Sequence, residues 1–238
     1  MVVRNDKVKV GNSGLMATKL FEEKATLSPA GRAEKWGIFL VLGLFLTVPY
    51  FMILHHPLFP ARVVPLTPLD RFVPLFQPAI YIYMSFDLLL TLPLLLVRDS
   101  RSLRQMAFGF AWITFVSHLF FILWPTQIPA LISGPEVTNP LLQMVRTVDT
   151  NFNACPSLHA SLATYCALCC ARLLKSRKQQ AGVWLWAFLI LAATLLAKRH
   201  VVLDLIAGGG ARSCGLLWLA KMSSQPRSLR ISNIKFEV

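Results

Sequence analysis

The apolar residues of this chain gather in long runs, several of which approach or exceed the ~20 helical residues needed to cross a hydrocarbon layer at ~1.5 Å per residue. Six such runs are predicted to be spanning helices: Trp36 to about Leu54, about Phe76 to Val97, Met106 to Trp124, about Pro156 to Leu174, Gly182 to Ala197, and His200 to Ala220. Ser28-Pro29 reads as the start of the first helix, with Ser28 as cap and Pro29 at the first helical position. The expectation is an all-α polytopic membrane protein, a bundle of six transmembrane helices. A polar arm (residues 1–35) precedes the membrane domain (36–220), and a tail (221–238) follows it.

Composition agrees with this pattern. A content of 55% hydrophobic and only 15% charged residues is too poor in charge for a soluble domain of 238 residues. The net charge of +13 would suit a nucleic-acid binder, but no stretch interleaves dense basic residues with aromatics in a polar setting, so no nucleic-acid partner is expected. The basic residues describe topology instead. Seven lie in the arm, three in the second loop, four around the fourth loop and four in the tail, eighteen in all and all on one side of six spans. Five (Arg62, Arg71, Arg146, Lys198 and Arg199) lie on the other, and Arg212 falls within the sixth span. Both termini are therefore expected to be cytoplasmic. Cys166, Cys169, Cys170 and Cys214 sit inside apolar runs and read as small buried helix residues rather than as a disulfide framework or a zinc site.

Two segments carry candidate chemistry. In Asn153-Ala-Cys-Pro-Ser-Leu-His159, Pro156 fits the first turn of a helix, which puts Ser157 and His159 at a helix amino terminus. Unpaired amides and the helix dipole favour an anion there, so a phosphate could dock on the amides and the Ser157 hydroxyl. The second segment, Lys198-Arg-His-Val-Val-Leu-Asp204, spaces His200 and Asp204 four apart, so that on a helix the carboxylate accepts from one imidazole nitrogen and frees the other for attack. Both segments open on the same extracytoplasmic or lumenal side. Other polar groups have plainer readings. His55 and His56 suit the membrane interface, and His118 suits a hydrogen-bonded interior position. Asp87, deep in the second span, either faces a substrate path or is a satisfied core residue. Gly208-Gly-Gly210 lets the sixth helix approach a neighbour.

Pro156-Ser-Leu-His159 followed by His200-x3-Asp204 resembles the type-2 phosphatidic-acid phosphatase superfamily, and most closely its inositolphosphotransferase-like branch, whose first histidine motif commonly reads Pro-Ser-Leu-His where the wider superfamily has Pro-Ser-Gly-His. The likeness extends loosely to Leu69-Asp70, Phe72-Val73-Pro74, Tyr81-Ile82-Tyr83, Trp124-Pro125, Asp149 and Asn153. The resemblance implies that His200 attacks phosphorus to form a phosphohistidine and that Asp204 supports it. His159 would protonate the leaving oxygen and then activate water or an alcohol, while Ser157 holds a phosphate oxygen. Two features depart from the superfamily. Lys-x6-Arg-Pro is absent near the end of the third span, which reads Trp124-Pro-Thr-Gln-Ile-Pro129, and the Ser-Arg pair before the second histidine is Ala193-Thr194. Lys198, Arg199 and Arg146 are then the cations available to neutralise phosphate, with Asn153 and Asp149 alongside in the substrate-binding set.

The leading expectation is an integral membrane lipid phosphatase or phosphotransferase that acts through a phosphohistidine, leaning to inositolphosphotransferase-like transfer. Its partners would be a lipid phosphate, an alcohol acceptor and the surrounding membrane lipids. No cofactor and no metal are expected, because few carboxylates near the pocket offer oxygen ligands for Mg²⁺. Strict hydrolysis of phosphatidic acid or a polyprenyl diphosphate is the alternative, and a non-catalytic transporter or scaffold is the alternative from another class. The charge partition yields a topological test. Cysteines placed at Asn139 and Arg71 should react with an impermeant reagent from the extracytoplasmic side only, in intact cells or sealed vesicles; labelling from the cytoplasmic side alone would invert the arrangement.

Overall fold

The computed structural model describes residues 28–130 and 136–210. The chain is mostly helical: α1 (Arg32–His55), α2 (Pro68–Phe72), α3 (Ala79–Met84), α4 (Phe86–Leu96), α5 (Ser100–Leu123), α6 (Pro140–Val148), α7 (Leu158–Leu173), α8 (Arg177–Leu196) and α9 (residues 202–210). Two short strands, β1 (Arg62–Val63) and β2 (Thr126–Gln127), pair in parallel. Among the described residues, four stretches are long and apolar enough to cross a membrane, namely Arg32–His55, Ala79–Leu96, Ser100–Leu123 and Arg177–Leu196. The protein is thus a multi-pass membrane protein. The stretch expected as the fourth span holds α7, which is apolar but, at 16 residues, shorter than those four. The expected sixth span runs from His200 to Ala220, and its part beyond residue 210, with Arg212 and Cys214, lies outside the described residues, as do residues 1–27 of the arm and the whole tail.

Burial separates the helices into a centre and a shell. Eleven of the 16 residues of α7 are buried, whereas Leu54 alone is buried in the 24 of α1. Small side chains make the central position possible, since Ala160, Ala163, Cys166, Ala167, Cys169 and Cys170 let α4, α5 and α8 pack closely on α7. The expectation for these cysteines holds: Cys166, Cys169 and Cys170 are buried and free. Large apolar residues on the shell, among them Leu40, Leu44, Leu88, Phe115 and Phe188, are exposed, as surfaces facing acyl chains are.

Several predicted boundaries move, each for a local reason. Ser28-Pro29 does not begin α1; Gly31 is its amino-terminal cap. The Ser-Pro segment instead ties α1 to α5, through a bridge from Pro29 to Asp99 and a bond from the Ser100 amide to the Ser28 carbonyl at 3.0 Å. Pro156 likewise precedes the cap of α7, which is Ser157, with its Oγ accepting from the Ala160 amide at 3.3 Å. The second span is two helices, broken between α3 and α4 at Ser85. Helices α5 and α8 begin before Met106 and Gly182, because hydropathy marks the membrane-embedded part while the helix continues through polar first turns. Asp99 caps α5 by accepting from the Ser102 amide at 2.7 Å.

The two ends of the bundle are built differently. At the amino-terminal end of α1, Lys35 Nζ donates to the Val97 carbonyl at 2.6 Å, and Glu34 accepts from Ser100 Oγ at 2.6 Å and Arg104 Nε at 2.8 Å. The opposite end carries the short elements. The amphipathic helix α6, which hydropathy alone does not reveal, is capped by Asn139, whose Oδ1 accepts from the Leu141 amide at 3.0 Å, with Pro140 in the first turn. Here α9 lies against the start of α7. A Cβ built at Gly208 would collide with the Ser157 carbonyl oxygen and reach 3.0 Å from Ala160 Cβ, while Gly209 and Gly210 have open space around them. Of the three glycines, Gly208 alone makes the expected close approach. Gly208→Ala should lower stability by ~1–3 kcal/mol through overpacking, read as an earlier thermal transition of the detergent-solubilised protein, and Gly209→Ala should leave the transition in place.

Candidate active site

The turn between α8 and α9 places His200. After Leu196, Lys198 takes a left-handed φ of 56°, and the amides of Arg199 and His200 both return to the Thr194 carbonyl, at 2.9 and 3.3 Å. The reversal sends successive side chains in opposite directions. Lys198 Nζ donates to the carbonyls of Val73 and Asp70 at the end of α2. Asp70, 3% exposed, accepts from Thr67 in a capping box and from the Val202 amide at 2.8 Å, at the start of α9. The α2 segment therefore holds the turn from both sides.

His200 lies before α9 rather than on it. The expected four-residue pairing is present, yet it is closed across the helix start instead of along a helix face. Asp204, fully buried in the third position of α9, reaches back to accept from the Val201 amide at 3.0 Å and from His200 Nδ1 at 3.0 Å. Its backbone carbonyl accepts from the Ser157 amide at 3.0 Å, and Ser161 Oγ donates to the Gly208 carbonyl at 2.9 Å. These bonds fasten the two sequence motifs to each other. His159, in the first turn of α7, places Nδ1 3.1 Å from His200 Nε2. With Asp204 accepting, His200 carries its proton on Nδ1 and presents a lone pair at Nε2, so His159 is the donor between the rings. The rings of Tyr83 and Phe86 pack against His159 with centroids 4.7 and 4.6 Å away.

A cavity of about 310 Å³ opens over this pair, lined among others by His159, His200, Arg199, Asn153, Asp149 and Asp87. Arg199, 3% exposed, donates to the Asp149 and Thr150 carbonyls and to Asp149 Oδ2 at 3.1 Å. Asp149 in turn accepts from Tyr50 of α1 at 2.5 Å. Asn153 has a φ of 55° and is 4% exposed, and its Nδ2 has no hydrogen-bond partner among the described residues. The stretch around it is pinned from the α5 exit, where the Cys155 amide donates to Thr126 Oγ1 at 2.8 Å and the Ile128 amide to the Asn151 carbonyl at 2.9 Å. Where the superfamily pattern has a basic motif, this chain has a backbone clamp.

The predicted residues thus divide. His159, His200, Arg199, Asn153 and Asp149 share the cavity, and Asp204 stands behind His200. Arg146 on α6 is close enough for its guanidinium to be pushed below its ordinary range, first by burial and then by the like charge of Arg199. Ser157 and Lys198 do not line the cavity. The Ser157 hydroxyl is fully buried as a helix cap, and the Lys198 ammonium, lowered by burial, is engaged with α2. Nor is Cys155 beside the motif a ready nucleophile, since burial pushes its thiol up to about 11. Sequence reasoning missed Tyr50, which resembles any aromatic of an apolar span until tertiary packing sets it against Asp149.

The fold and the site define a polytopic membrane protein whose cavity sets an Asp-oriented imidazole pair beside a buried cation. The chain is a member of the PAP2 superfamily, whose family model matches residues 69–214, and it is a membrane phosphatase-type enzyme. Helix α1, with Tyr50, lies outside the matched stretch. Comparison with curated proteins finds no match, and none is found among solved structures.

The division of the cations is directly testable. Lys198→Met leaves two buried carbonyls without their donor, so it should cost ~1–3 kcal/mol of stability with little change in KM of the surviving enzyme. Arg199→Gln should raise KM for a lipid phosphate ester at least tenfold. The reverse pattern, in steady-state kinetics and thermal unfolding, would exchange the two roles.

Proposed function

We propose that this protein is a six-helix lipid phosphotransferase or phosphatase that works through a phosphohistidine on the extracytoplasmic face. The observation carrying this reading is the aligned chain from His159 Nδ1 to His200 Nε2 at 3.1 Å and from His200 Nδ1 to Asp204 at 3.0 Å. Support for the topology comes from the far end of the bundle, where Lys35 and Arg104 gather at the other termini of the same helices.

His200 Nε2 forms a bond to phosphorus as the ester P–O bond breaks, and Asp204 stabilises the positive charge developing on the ring. His159 gives its proton to the leaving oxygen. In the second half, His159 takes a proton from water or an alcohol, whose oxygen bonds to phosphorus as the P–N bond breaks and the imidazole is restored. In-line displacement needs phosphorus between His200 Nε2 and the leaving oxygen, so the two rings part when substrate enters. Arg199 and the Asn153 amide stabilise the equatorial oxygens. Ser157 acts by capping α7 and so positioning His159. Transfer to an alcohol is favoured over hydrolysis because the cavity is lined largely by aromatic and aliphatic side chains, which suit an organic acceptor better than bulk water. Products formed from a labelled lipid phosphate, with and without acceptor alcohols, separate the two: a new phosphodiester marks transfer and free phosphate alone marks hydrolysis.

His200→Ala should abolish turnover and the trapped phosphoenzyme, quenched in alkali because phosphohistidine is acid-labile. His159→Ala should slow phosphoenzyme formation by ~10²–10⁴-fold with poor leaving groups and much less with an activated aryl phosphate. Asp204→Asn should lose much of the rate. Label that persists in His200→Ala and vanishes in His159→Ala would exchange the histidines.

A further inference from the structure

The chemistry above makes no use of Asp87. It lies in the first turn of α4, next to Phe86, and eight residues beyond Ala79, about 12 Å into the span at 1.5 Å per residue. A carboxylate at that depth is costly without a partner, yet Asp87 has no hydrogen bond or ion pair among the described residues. Its side chain is exposed and lines the same cavity as the histidines. Thr47, eight residues before the end of α1 and likewise exposed, faces the cavity there too. The two lie deeper in their spans than the α8–α9 turn that carries Arg199, since the Phe76 amide ahead of α3 is bonded to the Leu196 carbonyl at the end of α8.

The cavity is therefore polarised. Its outer end presents Arg199 and the unpartnered Asn153 amide, donors suited to an anion; its inner end presents a lone carboxylate. Between them stand the rings of Tyr50, Phe51, Tyr83 and Phe86. Thr47 donates to the Gly43 carbonyl at 2.7 Å and Tyr50 to Asp149 at 2.5 Å, so neither has a proton to offer a ligand, and the Thr150 hydroxyl, unpartnered among the described residues, belongs to the outer end beside Arg199. A polyol headgroup would leave most of its hydroxyls against ring faces and aliphatic side chains such as Leu46 and Leu162. An ammonium group gains from both a carboxylate and aromatic faces, and its methylene or methyl periphery suits the remaining wall.

We propose that Asp87 is the floor of a headgroup subsite for an ammonium group, so that the phosphoryl group handled by this enzyme carries a cationic headgroup. The inference rests on the proposed function in taking the phosphorus to lie at His200, with the ammonium reaching inward past His159 to Asp87. The headgroup then sets specificity by pairing with a charge that is otherwise alone in the membrane.

The test uses the full-length protein in a maltoside detergent and measures the binding of three probes: dodecylphosphocholine, its uncharged dimethylbutyl isostere, and dodecyl phosphate. Wild-type protein should bind the phosphocholine at least tenfold more tightly than the isostere. Asp87→Asn should erase that difference and leave dodecyl phosphate unchanged, while Asp87→Glu should keep part of it. Equal wild-type affinity for the charged probe and its isostere would overturn the proposal without recourse to any variant. So would equal weakening of all three probes in Asp87→Asn, which marks a structural residue, or tighter binding of an inositol-bearing alkyl phosphate than of the phosphocholine. Binding needs no turnover. Discrimination retained in a protein that forms no phosphoenzyme would sink the catalytic reading and leave the subsite standing.

Discussion

One buried carboxylate organises the end of this protein that bears both histidine motifs. Asp204 accepts from the Val201 amide and from His200, and its own backbone carbonyl receives the Ser157 amide. A single residue thereby starts α9, selects the tautomer of His200 and fastens α9 to the beginning of α7, where His159 stands. Full burial makes these bonds consequential, because an unpaired carboxylate in such a place would be strongly destabilising. Gly208 completes the arrangement, since any side chain there would force apart the two helix ends that Asp204 joins.

Around this point the chain solves a problem that the membrane imposes. Spanning helices satisfy their own backbone groups, but the turns that carry the chemistry do not. Short elements do it for them. The α2 segment receives Lys198 on its carbonyls and presents Asp70 to the Val202 amide; the β2 strand and Thr126 bind the 151–155 stretch; Asn139 starts α6. None of these residues needs to touch substrate. Together they hold a rigid rim from which the imidazoles and Arg199 project, the preorganisation that charge stabilisation requires.

Helix α1 is the least buried of the long helices, and it falls outside the stretch that matches the family model. It still contributes Tyr50 to the Asp149–Arg199 pair and Thr47 to the lining of the cavity. The cavity wall therefore draws on two parts of the chain, α1 outside the matched stretch and Tyr83, Phe86, Asp87 and α6 within it.

Four of the six expected spans were legible because hydrocarbon demands long apolar runs, and the two histidine motifs were legible because their spacing survives on the page. The capping of α6 was also there to be read in Asn139-Pro140, hidden only by its short length. What the sequence could not decide was direction. Lys198 and Arg199 are adjacent and alike in charge, yet the left-handed backbone at Lys198 turns one toward α2 carbonyls and the other into the cavity. Ser157 reads as a phosphate ligand until the observed helix start makes it a cap. Composition and spacing determine which groups are present and how far apart they lie along the chain. Only the packing of α7, α9 and α1 decides which of those groups meet, because contacts across 40 or 100 residues depend on helix rotation and close approach, which no local pattern encodes.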